Sequence, residues 1–130
     1  MDDRFEVVVA AGTLRAPQAA AHFPHRWTEA GVSVEADFSG GHLLHLAAAG
    51  CVLNDLYREA ALLDITLDGV RVRAGGGFDT ETWHSTGIDY SVEVDSQAAP
   101  AELDLLLDVV DAVAEIPRAI RAGAAVSRVG

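Results

Sequence analysis

The chain has no lysine: nine arginines face 20 aspartates and glutamates, for a net charge of −11. That balance repels phosphate backbones and anionic lipid, so neither nucleic acid nor a membrane surface is an expected partner. One cysteine, Cys51, excludes an internal disulfide and any cysteine-based zinc cluster, and thiol chemistry must then involve a second molecule. No uninterrupted run of about 18 apolar residues exists to span a bilayer. The first residues, M-D-D-R-F-E, are charged and lack the apolar segment of a signal peptide, so a cytoplasmic location is expected. Also missing are G-x-S-x-G, H-E-x-x-H and C-x-x-C. Gly75-Gly76-Gly77 lacks the Lys-Ser/Thr of a phosphate loop and reads as part of a strand connection.

Half of the 130 residues are apolar, enough for a globular core, and the length suits a single domain over residues 1–130. Residues 5–10, F-E-V-V-V-A, form an expected first strand, 12–17 a turn, and 18–27 stay ambiguous. In 31–38, Val32, Val34, Ala36 and Phe38 alternate with polar residues, the period of a half-buried strand. From about His42 to Leu63 the spacing is helical and apolar nearly all round, the pattern of a buried helix. Segments 65–74 and 87–94 alternate again and predict an antiparallel hairpin with a long turn. Ala99-Pro100 opens a second helix, Pro117 breaks or restarts it, and A-A-V-S-R-V at the end reads as a short strand. The order predicts an α+β fold, helices packed on an antiparallel sheet. One sheet covers only one side of a buried helix, and a second subunit is a source for the rest.

Cys51 reads in two ways. It is a small core residue, or it is a nucleophile. On an ideal helix Ala47, Asn54, Asp55 and Arg58 share its face. Arg58 would stabilise a thiolate and Asp55 would oppose it, unless the two form a solvated pair of their own. His42 and His45, and likewise His22 and His25, have a spacing that suits two metal ligands, but no acidic third ligand stands in frame and no metal site is expected. His42 lies roughly opposite Cys51. Arg15 and Arg26 sit in loop-like regions from which a guanidinium can reach a thiolate or simply face solvent. Trp27 and Trp83 suit core packing or a subunit contact better than a pocket wall.

The succession G-G-H-L-L-H-L-A-A-A-G-C-V-L-N-D-L, A-A-L-L-D-I-T-L-D-G-V-R-V, a strand pair, and A-E-L-D-L-L-L-D-V-V-D-A-V-A-E-I-P-R-A-I resembles the osmotically inducible protein C / organic hydroperoxide resistance family (OsmC/Ohr-like) over residues 31 to 129. The resemblance implies an OsmC-like fold, with a buried central helix and a second helix on the sheet, built as an intertwined homodimer with sites at the subunit interface. It places Cys51 where the family's nucleophile attacks the O–O bond of an organic hydroperoxide. It also implies an arginine and a glutamate that steady the thiolate, and a second cysteine that closes a disulfide. Arg15 is the candidate arginine, with Arg26 behind it. Gly40-Gly41-His42-Leu43-Leu44 replaces the segment that carries the glutamate, and His42 is the nearest polar substitute. Ile116 occupies the second-cysteine position, so the two-cysteine cycle cannot run within this chain.

Two functions follow from these readings. The first is a one-cysteine, thiol-dependent organic hydroperoxide reductase of oxidative stress defence. It uses no bound cofactor, and an external thiol or dithiol regenerates Cys51. The second is a non-catalytic module that binds a small hydrophobic molecule at the dimer interface. A Cys51 thiol ionising well below its free value would favour the first, and a normal or raised one the second.

Overall fold

In a computed structural model, residues 4–130 describe five strands and three helices. Strand β1 (Phe5–Gly12) pairs antiparallel with both β3 (Val32–Glu35) and β4 (Gly69–Phe78). The short β2 (Ala21–Phe23) and the long β5 (Ser85–Asp95) form the edges, giving the order β2-β3-β1-β4-β5. Helix α1 (Gly40–Leu62) lies on one face of the sheet, against β1 and β4, and is flanked by α2 (Pro100–Val113) and α3 (Glu115–Ala122). The expected α+β class and the antiparallel hairpin are both present.

The alternation that marked the strands also builds the core. Val7, Val9 and Ala11 of β1, with Val70, Val72 and Ala74 of β4, point at α1 and meet Val52, Leu53 and Leu56. Each large aliphatic side chain buried this way contributes about 1.5–3 kcal/mol of transfer free energy. Ser39 starts α1: its hydroxyl accepts the backbone N–H of His42 at 3.1 Å, a Ser N-cap serving one orphan donor of the first turn. In the hairpin turn, the Asp79 carboxylate accepts the N–H groups of Glu81 and Thr82 at 2.8 and 2.9 Å. The Thr82 contact and its neighbour hold that carboxyl below the usual range.

Four expectations change in detail. The strand read over 31–38 stops at Glu35, and Phe38 is exposed. The strand read over 65–74 begins only at Gly69 and extends through Gly75-Gly76-Gly77, which lie within β4 instead of in a connection. Close packing explains the glycines: a Cβ on Gly76 would meet the Gly87 carbonyl oxygen and lie 2.7 Å from His45 Nε2. The ambiguous 18–27 contains β2. The C-terminal segment is not a strand: it pairs with no strand among the described residues, and its Val126 and Val129 are 95% and 90% exposed. Pro117 restarts a helix, as expected. In the first turn of α3 its missing N–H removes a donor that the helix could not have served.

Helix α1 is only partly covered. His45, Ala48, Ala49, Val52, Leu53, Leu56, Tyr57 and Ala60 are buried, yet Leu43 and Leu62 stand exposed.

Candidate functional site

Cys51 sits midway along α1, half-buried, at the point where α3 begins to cross the helix. Its Sγ lies 3.6 Å from Asp55 Oδ2, one turn along, with the thiol donating. The backbone N–H of Ile116 donates to the same sulfur across 3.5 Å. Asp55 is fully buried and takes a second donor from Asn54 Nδ2 at 3.2 Å. The Arg58 guanidinium reaches Asp55 Oδ2 at 3.2 Å and Glu115 Oε2 at 3.6 Å, tying α1 to the start of α3. The Asp55–Arg58 pair considered from the helix face is real, but its carboxylate is not solvated.

These neighbours decide the state of the thiol. Burial pushes Cys51 up to about 11, and the Asp55 and Glu115 charges add to it, while the Ile116 N–H works against them. Asp55 is raised as well, first by burial and then by Glu115, with Asn54 and Arg58 opposing. Glu115 is lowered, mainly by its own backbone N–H and by its hydrogen bond to Asp55. Proton affinity is therefore unequal across the carboxyl pair: Asp55 holds a proton more readily than Glu115. Sulfur and one oxygen of each carboxyl lie within 4.8 Å of one another. Arg58 already pairs with both carboxyl groups of that set.

Above the sulfur opens a cavity of about 480 Å³, walled by Phe23, Val32, Leu43, Leu46 and Ile116 with His25 on one side. The polar edge is tied down. His25 bonds Asn54 Oδ1 through Nε2 at 3.2 Å and Thr28 Oγ1 through Nδ1 at 2.8 Å, and its ring meets Tyr57 edge-on. Burial lowers the His25 imidazole, which favours its uncharged form. The site thus combines one sulfur, a carboxyl pair with an arginine, and an apolar chamber of small-molecule size.

The other residues singled out from the sequence fall elsewhere. Arg15, in the turn after β1, has Nη1 3.4 Å from His22 Nδ1 and does not line the Cys51 cavity. Arg26 lies over the Trp27 ring, 5.2 Å from its centroid. His42 Nδ1 shares a 2.6 Å hydrogen bond with the Ser39 hydroxyl, and the ring packs edge-on against Phe5 and lines a separate cavity with Glu6, Glu35 and Asp37. Among the described residues, then, the guanidinium of this site is Arg58 and no histidine touches the sulfur. Trp83 is largely exposed in the β4–β5 turn, whereas Trp27 packs against the core. Glu115 and the Ile116 amide were not foreseen as neighbours of the thiol. The sequence did hold a signal, since the resemblance places Ile116 at the second-cysteine position.

A model of the family described as OsmC-like protein matches residues 33–127 of the chain. The OsmC-like protein of Mycoplasma pneumoniae superposes with a TM-score of 0.60 at 14% identity, over 93% of this chain and 89% of that one. An OsmC-like hydroperoxide resistance protein from Jannaschia sp. CCS1 gives 0.57 at 10% identity, over 98% and 95%. These two likenesses are of fold, and they bear out the expected OsmC-like architecture. No curated protein matches the sequence.

Proposed function

Because the chain belongs to the OsmC-like protein family, we propose that it is a one-cysteine, thiol-dependent organic hydroperoxide reductase. The observation that carries this reading is the placement of Cys51 Sγ: it opens onto an apolar cavity and has a carboxylate 3.6 Å away to take its proton. The alkyl part of the hydroperoxide occupies the cavity. Sulfur attacks the outer oxygen, the O–O bond breaks, and Asp55 passes the thiol proton to the departing alkoxide. Cys51–SH and ROOH thereby become Cys51–SOH and ROH, with two electrons supplied by sulfur. Two external thiols, or one dithiol, then return Cys51 to the thiol and leave as a disulfide with one water.

The proposal includes a homodimer. Phe23, Leu43 and Ile116 rim the cavity while 55%, 41% and 37% exposed, an apolar border suited to a second copy. In that assembly Arg15 is the arginine proposed to approach the sulfur from the other subunit, and His42 is a polar substitute there for the missing glutamate. A cytoplasmic setting would supply the reducing thiol; no helix among the described residues is long and apolar enough to cross a membrane.

One observation favours a second reading, a non-catalytic module binding a small hydrophobic molecule. A thiol pushed up to about 11 is almost entirely protonated at neutral pH, with a thiolate fraction on the order of 10⁻⁴. Turnover of an organic hydroperoxide with dihydrolipoamide as reductant separates the two. Consumption well above a Cys51→Ser control supports the reductase. Rates equal to that control across several hydroperoxides and reductants, with retained binding of a hydrophobic dye, assign the cavity to binding alone.

A further inference from the structure

The reductase cycle leaves a problem at the sulfenic acid. With isoleucine at position 116 the chain has no second thiol, and an unresolved sulfenic acid is open to further oxidation. We propose that the backbone nitrogen of Ile116 resolves it, closing on the Cys51 sulfur to give a cyclic sulfenamide. This inference rests on the reductase reading and extends it to the fate of the oxidised cysteine.

Three features of the fold point to this nitrogen. It already faces the sulfur, 3.5 Å away, joined to it by a hydrogen bond. It belongs to the first turn of α3, where N–H groups have no carbonyl partner in their own helix, so its loss costs no rung of the helical ladder. The next residue is Pro117, which has no N–H to compete. Helix α3 itself carries no buried residue and can move the small distance that bond formation needs.

The carboxyl pair balances the protons. Glu115, the more acidic partner, accepts the Ile116 N–H proton. Asp55, the more basic one and reprotonated from solvent after the reductase step, protonates the departing hydroxyl, and Glu115 returns its proton to solvent; both carboxyls lie within 4.8 Å of the sulfur. Cys51–S–OH and H–N of Ile116 become Cys51–S–N and water: the S–O and N–H bonds break, and S–N forms. No further oxidant is needed. An incoming thiol opens the S–N bond to a mixed disulfide and restores the amide, and a second thiol releases Cys51. The ring is thus a reversible shelter.

The test oxidises the whole protein with cumene hydroperoxide in the absence of thiol. The expected product is a monomeric-mass species about 2 Da lighter than the reduced chain and restored by dihydrolipoamide. Digestion should yield one linked pair of peptides, containing Cys51 and Ile116. Glu115→Gln, similar in shape but not a base, is expected to slow closure and raise several-fold the fraction of chains about 16 Da heavier than the reduced one, the open sulfenic acid, with circular dichroism confirming the fold. A sulfenic acid that persists and is trapped in the native chain, or a disulfide joining two chains, without the linked peptides, overturns the sulfenamide and leaves the reductase standing. A Cys51 that excess hydroperoxide does not oxidise overturns both.

Discussion

Helix α1 buries two polar side chains completely, His45 near its start and Asp55 further along, and it houses them in opposite ways. His45 lies among aromatics, stacked on Phe5 and edge-on to Phe78 with ring centroids 6.1 Å away in each case. Its Nδ1–H donates to the Gly41 carbonyl at 2.6 Å, and Nε2 has no partner among the described residues. Asp55 instead gathers Cys51, Asn54 and Arg58 and stands beside a cavity wall. Burial alone therefore does not mark a working group. An imidazole can fill space with one nitrogen idle at a cost of about 1–3 kcal/mol, whereas a buried carboxylate must be surrounded by donors.

That contrast can be pressed from both ends. The largest effect is expected at the sulfur. Only the thiolate reacts, so the rate of Cys51 alkylation should climb about tenfold per pH unit from 7 until it levels near 11, a rise on the order of 10⁴. Stopped-flow alkylation against pH measures it, and a plateau below pH 8 would mean that burial, with the carboxyl pair, does not hold the thiol up. The same raised value stabilises the fold fully below about pH 9, the ordinary thiol value, and this contribution is lost as pH rises toward 11.

At the other end, Gly76→Ala would drive a methyl group against the Gly87 carbonyl and the His45 ring. A loss of about 3 kcal/mol is expected in urea unfolding, because the obstruction includes backbone. Intermediate in size is Asp55→Asn, which keeps the side chain's shape but removes a charge that raises the thiol. It should increase thiolate about tenfold at a given pH, read from the alkylation profile. The smallest effect belongs to His45→Leu, which removes the idle nitrogen at similar volume. Stability should stay within about 1 kcal/mol and the Cys51 profile should not move. If His45→Leu shifts that profile, the two ends of the helix are coupled and the contrast fails.

The sequence made some of this legible and hid the rest for identifiable reasons. Val7, Val9, Val70 and Val72 declared their strands through alternation, and α1 through its apolar spacing, because each pattern is written in neighbouring residues. The Asp55–Arg58 pair was visible on the same grounds, one helical turn apart. Arg58–Glu115 and Ile116–Cys51 were not, since they depend on how α3 crosses α1, a long-range packing choice that no local period encodes. The expected C-terminal strand failed for a related reason: Val126 and Val129 have strand propensity, but propensity supplies no neighbouring edge to pair with. Arg15 was drawn from the family layout, and in this chain it faces His22.

The amide of Ile116 has one more consequence. A proton held between a backbone nitrogen and a sulfur is sensitive to whatever that sulfur carries. Its resonance in an ¹⁵N–¹H spectrum is a built-in gauge for Cys51: one position with the thiol, another when the thiolate or an oxidised sulfur strengthens or breaks the contact. A single labelled isoleucine type, of which the chain has few, would let the chemistry of a lone cysteine be followed without attaching any probe to it.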